Sequence, residues 1–268
     1  MMGTLNPYLF LKKVFFFIHK TKFNLFKTIY INIKMFPLNT AIKLPIYVFG
    51  NWNFVELNGE FIIDAPLKRG MISIGINIAE YVTAVNGSLR MKNKSKIIFH
   101  DHVYISQGCQ IYLDDNSVLE LHKGSKLGDS VKLICYRNIS IGEMSEITWE
   151  SQVTDSNSHF IEDITTNKIN NIINSISIGN YNWIGNRTTI MPGTITPDWI
   201  IVSSNSLLNK NYIKLGLKPY SLIGGMPAAL IKTNVKRIYD TRYEKYLFLS
   251  CKNNVEPVLS QNIKNNYI

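Results

Sequence analysis

The chain has 268 residues, is 46% hydrophobic and 18% charged, and carries a formal net charge of +10. Those fractions describe a globular protein with a sizeable core and exclude a disordered or low-complexity chain. The charge is lopsided, because Lys12, Lys13, Lys20, Lys22, Lys27, Lys34 and Lys43 all precede the first acid, Glu56; this argues against nucleic acid as a partner of the main body and for a local contact with an anionic surface or ligand.

Residues 1–45 read as a basic amphipathic helical segment, dense in Phe, Leu, Ile and Tyr between lysines. Its longest uncharged apolar run, residues 14–18, is far short of the roughly 20 residues that span a bilayer. No small-residue cleavage site follows it, so a signal peptide is not expected either. One or two helices should end near Pro37. They can shield the open end of the domain that follows or lie on an anionic membrane surface, since one pattern serves both uses.

A β-domain is expected from about Ile46 to residue 232. Val55, Leu57, Phe61 and Ile63 are strand material around Asn58-Gly59, which is a hairpin or turn signal. From Ile97 a six-residue beat sets in. Ile105 and Ile111 form one pair, and Leu121, Leu127, Leu133 and Ile139 a longer series. A slip of two then gives Ile141, Ile147 and Val153, and the run closes with Ile178, Ile184, Ile190, Thr196, Val202 and Leu208. Such a period signals a parallel β-helix, each hexad making one short strand and one turn around an axial core. Gly179 and Gly185 directly follow two of these positions and are expected to serve left-handed corners. With three hexads, about 18 residues, per coil, residues 97–210 should hold about six coils, and the slips should mark loops extruded from corners.

The longest break, about 154–175, is polar and asparagine-rich. An extruded loop of that size inside a solenoid is more often functional than accidental. Past Lys210, glycines and prolines end the repeat. Val235, Ile238, Tyr239, Tyr243, Tyr246 and Leu247 then follow helical spacing, with Thr233 or Asn234 as N-cap, so 233–268 reads as a C-terminal helix and tail. Cys109, Cys135 and Cys251 are too few and too dispersed for a disulfide framework or metal cluster and read as reduced thiols of a cytoplasmic protein.

Three separated motifs carry more. They are DSNSH at 155–159, IGNYNWIG at 178–185 with IMPG at 190–193, and IGGMPAALIK at 223–232. Together they resemble the hexapeptide-repeat, left-handed β-helix acyltransferases, most of all the sugar O-acetyltransferases of surface-polysaccharide, galactoside and maltose type. The match covers about residues 97–232. Thr196-Pro197, Ser203-Ser204-Asn205 and Asn209-Lys210 depart from the family's usual residues. The resemblance implies an all-β left-handed parallel β-helix, flanked here by the N-terminal helical segment and the C-terminal helix. It implies an acetyl-CoA-dependent enzyme that acetylates a sugar hydroxyl, working as a homotrimer with active sites between subunits, at the inner face of the cell membrane if the basic segment binds there.

An alcohol needs a base to attack a thioester, and histidine, titrating near pH 6.5, suits that task. His159 is the expected base, with Asp155 or Asn157 as orienting acceptor for its other nitrogen. By family analogy Trp183, Asn186, Ser204 and Lys210 would contact coenzyme A, with Trp183 equally readable as core, and Trp149 and Glu150 would face the acceptor sugar. No cysteine or serine sits in a recognisable nucleophile motif, so direct transfer is expected. His100 and His102 are read as surface residues sharing one strand face. His122 and His19 have no supporting context, and no metal is expected. N-acylation of an amino sugar and a non-enzymatic β-helix scaffold are the alternatives.

Overall fold

A computed structural model describes residues 22–77, 85–253 and 256. The expected run at 14–18 and His19 lie outside them. Among the described residues the strands form three long sheets of nine, seven and five members, parallel except for the final pair, with successive strands of the chain falling on successive sheets. These are the three walls of the left-handed parallel β-helix. We call them the first, second and third face, and the chain runs third, first, second around each coil.

The six-residue beat is the step from one face to the next. Ile178 lies on the third face, Ile184 on the first and Ile190 on the second. All three are buried, as are Thr196, Val202 and Leu208 on the coil above. Each buried aliphatic side chain contributes about 1.5–3 kcal/mol of transfer free energy. On the first face Tyr104 pairs with Lys126, Lys126 with Glu146, Glu146 with Trp183 and Trp183 with Ile201, so successive coils take 22, 20, 37 and 18 residues. Only the last has the expected length, and residues 97–210 hold five first-face strands rather than six coils.

The slips have a different cause from the one expected. Val118–Leu121 and Asn138–Ile141 each turn two residues inward, Leu119 with Leu121 and Ile139 with Ile141. A longer strand, not an extruded loop, moves the beat by two. The Asn58-Gly59 turn is likewise a corner and not a hairpin: Trp52–Leu57 and Glu60–Ile63 belong to the second and third faces.

Gly179 and Gly185 do not serve left-handed backbone. That conformation falls on Tyr181, Arg187, Trp199 and Asn205, two residues further into the corners. The glycines are needed for closeness instead. A Cβ on Gly179 would stand 2.6 Å from the carbonyl of Pro197, and one on Gly185 would stand 2.5 Å from the amide nitrogen of Ser204, backbone atoms of the next coil. No real Cβ tolerates that, so these corners stack only without side chains.

The first coil is covered by α1 (Leu25–Met35), which ends before Pro37 and the short α2 (Leu38–Ala41). Asn24 caps α1 by accepting from the Lys27 amide at 3.0 Å. The edge strand Ile46–Val48 has backbone groups with no further coil to pair with. Fully buried side chains of α1 take that place: Asn32 donates to Ile46 O at 2.8 Å and accepts from Ile46 N, and Thr28 Oγ1 accepts from Val48 N at 2.9 Å. At the other end, strand Ser221–Gly224 pairs antiparallel with Ala229–Thr233. Thr233 therefore ends a strand and is no helix cap. In the separate C-terminal unit, α3 (Thr241–Lys252) starts later than expected. Its N-cap is Asp240, whose carboxylate accepts from the Arg242 and Tyr243 amides.

Candidate active site

After Gln152–Thr154 on the second face the chain leaves the wall and returns as Ile176–Ile178 on the third. Between them runs a ribbon rather than an irregular loop. Glu162–Asp163 pairs antiparallel with Lys168–Ile169, and Ser156 bridges Ile173. At the base Asn157 N–H donates to Ile172 O and Asn174 N–H to Asp155 O, both at 3.0 Å. The ribbon therefore projects from the second–third edge on a hydrogen-bonded stem. Phe160, Ile161, Ile164 and Ile169 on it are exposed.

His159 sits at the start of this ribbon, exposed, just past the left-handed Ser158. Its backbone N–H donates to Asn157 O at 2.7 Å, and its side chain hydrogen-bonds to none of the described residues. Asn157 is exposed two residues before it. Asp155 has a different task from the one expected. Its carboxylate is fully buried and accepts three backbone amides of the coil below: Tyr136 N at 2.7 Å on Oδ1, Arg137 N at 2.8 Å and Asn138 N at 3.0 Å on Oδ2. Both oxygens are committed to that corner, and neither is aimed at the His159 imidazole.

The other residues singled out in the sequence divide between two edges. At the first–second edge, Asn186 and Ser204 stack on successive coils, with the Ser204 hydroxyl donating to Asn186 Oδ1 and Asn205 N–H donating to Asn186 O. Trp149 and Glu150 lie one coil below at the same edge. Arg187, which the sequence reading passed over, joins them: its guanidinium lies 5.3 Å from the Trp149 ring centroid and its Nε 2.8 Å from Glu150 Oε2. Register could have found it, since Glu150 and Arg187 each follow an inward isoleucine, Ile147 and Ile184, by three. Trp183 is 38% exposed on the outer surface of the first face, beside inward Ile184, so it is not core. Lys210 is exposed at the second–third edge, where its carbonyl accepts from Ile195 N. It shares that edge with the ribbon.

The two buried thiols of the β-helix offer no rival nucleophile. Burial pushes the Cys109 thiol up to about 12, and burial with the neighbouring Asp155 charge raises that of Cys135 further. Two pockets, of 320 and 280 Å³, are lined by residues such as Trp52 and Gln107, and by Arg90, Tyr112 and Ile134 on the second face; Ile134 pairs with Thr154 at the foot of the ribbon.

His100 and His102 do not share a strand face. They fall in the corner between Lys96–Phe99 and Val103–Ser106, on either side of left-handed Asp101. His102 Nδ1 lies 2.7 Å from Asp101 Oδ1, whereas His100 stacks on His122 of the next coil with ring centroids 4.4 Å apart.

No family model matches the chain. Over 72 residues it is 42% identical to a probable macrolide acetyltransferase of Lysinibacillus sphaericus, a match covering 27% of this chain and 36% of that relative. The chain thus spans about a third of that relative's length. Over 150 residues it is 22% identical to WbbJ of Escherichia coli K12, described as a lipopolysaccharide biosynthesis O-acetyl transferase, covering 53% of this chain and 74% of that one. The resemblance to hexapeptide-repeat acyltransferases stands. Among solved structures, the polySia-specific acetyltransferase NeuO overlaps 78% of this chain and 98% of its own at 22% identity, with a TM-score of 0.46. The assignment of the β-helix rests on strand order and register, not on that overlap.

Proposed function

We propose that this protein is an acyltransferase that moves an acetyl group from acetyl-CoA to a hydroxyl of a sugar in surface-polysaccharide biosynthesis. The observation that carries the reading is the stemmed ribbon that presents His159 at an edge of a hexapeptide-repeat β-helix. His159 takes the proton of the acceptor hydroxyl as its oxygen attacks the thioester carbon. The C–S bond then breaks, and the proton passes from His159 to the departing thiolate. Lys210, on the same edge, pairs with a phosphate of coenzyme A. Trp183, Asn186 and Ser204 line the path of its pantetheine arm, and Trp149 and Glu150 face the sugar.

Two edges of one β-helix carry these groups, and the His159 side chain meets no orienting acceptor among the described residues. Both facts favour a site completed by a neighbouring copy, in a homotrimer whose ribbons cover their exposed Phe160, Ile161 and Ile164 against the next subunit. The test is acceptor-dependent release of thiol from acetyl-CoA over a panel of sugars and amino sugars. Release with hydroxyl acceptors alone is the expected result; release only with amino sugars makes the enzyme an N-acyltransferase, and no release with any acceptor leaves a scaffold.

No helix among the described residues is long and apolar enough to cross a membrane. The outer side of α1 nevertheless exposes Phe26, Ile29, Tyr30 and Ile33, with Lys22, Lys34 and Lys43 close in sequence and exposed. We read that side as resting on the anionic inner face of the cell membrane while the buried side caps the first coil. The double variant Phe26→Glu with Ile33→Glu should stop sedimentation with anionic vesicles. Undiminished sedimentation would reduce α1 to a cap.

A further inference from the structure

The third–first edge carries a second constellation, on the side of the β-helix away from the ribbon. Asp64, His100 and His122 each follow the last residue of a third-face strand, on three adjacent coils. Their backbones continue the ladder, with Asp64 N–H donating to Phe99 O, His100 N–H to Leu121 O and His122 N–H to Ile141 O. Neighbouring coils stand about 4.8 Å apart, so side chains in this column meet face to face. The two imidazoles are nearly parallel, with 10° between their planes. Glu120, two residues before His122 on the same strand, reaches both rings: its Oε2 lies 3.8 Å from His100 Nε2 and 3.7 Å from His122 Nε2.

The hydrogen-bond accounting at this spot does not close. Asp64 Oδ2 lies 3.1 Å from His100 Nδ1, which holds a ring proton at Nδ1 and makes Nε2 the nitrogen open to a ligand. That Nε2 is shielded from solvent and has no hydrogen-bond partner. The Ser140 hydroxyl stands 3.3 Å from His122 Nε2, the same nitrogen that faces Glu120, so a metal ion would compete with Ser140 for it. Two imidazole nitrogens and a carboxylate oxygen thus converge, and His100 Nε2 is left without a hydrogen-bond partner among the described residues.

We propose that His100, Glu120 and His122 bind a divalent transition-metal ion of the zinc, cobalt and nickel class, clipping two adjacent coils together. All three ligand atoms lie within 4.8 Å of one another. Ligands about 2.0–2.2 Å from a tetrahedral zinc stand roughly 3.4 Å apart, so the two contacts to Glu120 need to contract by a few tenths of an ångström and the two stacked imidazoles need to tilt their Nε2 edges toward one another. Two imidazoles and one carboxylate suit borderline metals and not calcium or magnesium, which require oxygen ligands. Asp64 behind His100 supplies the carboxylate that orients a metal-bound imidazole in known sites. The side chains are one-quarter to one-third exposed, so a small tilt of the His100 ring opens its shielded Nε2 to the ion and to a fourth, water ligand.

Titrating untagged, metal-free protein with Co²⁺ should give one equivalent bound with the visible d–d bands of a low-coordinate site, and Zn²⁺ should displace it. Zn²⁺ should also raise the thermal midpoint. His122→Ala should abolish the bands, and the near-isosteric Glu120→Gln should weaken binding about tenfold or more. His102→Ala, one residue beyond Asp101, should bind as wild type does. The proposal is overturned if wild-type protein takes up no stoichiometric Co²⁺, or if Glu120→Gln binds it with unchanged affinity. Glu120→Gln keeps the test decisive should His122→Ala fail to fold.

Discussion

Asp155→Ala should lower the unfolding free energy by about 3 kcal/mol or more, read as a lower urea midpoint with an unchanged slope. The fully buried carboxylate accepts three backbone amides, Tyr136 N, Arg137 N and Asn138 N. Each donor stranded in a protein interior costs about 1–3 kcal/mol, and bonds to an ionised acceptor are the stronger kind. Asp155→Asn should lose less, because one amide oxygen can keep the pair of donors now on Oδ2 while its NH₂ faces the remaining one. Activity should fall in both variants only in step with the fraction folded, since the backbone bond from Asn174 N to the carbonyl of residue 155, which both retain, still anchors the ribbon in folded molecules. If Asp155→Ala instead keeps the wild-type midpoint and loses only turnover, its carboxylate orients the catalytic base after all, and the anchoring role is wrong.

That residue marks the boundary of what the sequence displays. The hexad beat is visible because each step delivers one inward side chain to one of three walls, and Ile178, Ile184 and Ile190 obey it strictly. Coil length is not visible in the same way. A strand that turns two residues inward, as Val118–Leu121 does, is indistinguishable in sequence from a one-wall step followed by a slip. Every assignment that depends on stacking inherits this ambiguity. Glu150 and Arg187 meet across a 37-residue coil, and His100 and His122 across a 22-residue coil, so neither pair is recoverable from a uniform 18-residue repeat. The glycines show the converse limit. Gly179 was correctly placed at a corner, but the reason lies in the Pro197 carbonyl of the next coil, which no local rule contains. Asp155 combines both difficulties: the acid beside the histidine was legible, while the three amides it serves lie 17 to 19 residues away.

His159→Ala separates the chemistry from the scaffold. His159 is exposed, its side chain bonds to none of the described residues, and its neighbours on the ribbon are held by backbone bonds that alanine retains. The variant should therefore keep the wild-type unfolding midpoint to within about 0.5 kcal/mol. Its turnover should drop by about 10²–10⁴, the range that a positioned general base supplies, with the KM for acetyl-CoA little changed because the ring contributes to the transition state more than to donor binding. A surface histidine without a role would leave both quantities where they are. A fall in turnover that follows a fall in stability would point to the ribbon and not to the imidazole. The same assay run on a mixture of His159→Ala with a second inactive variant, altered at Trp183 and Lys210, tests the intersubunit site. If the ribbon of one copy works against the wall of the next, mixed trimers regain some activity that neither parent has. If each chain works alone, mixing two dead enzymes restores nothing, and the orienting partner of His159 must be sought within its own ribbon, at Asn157.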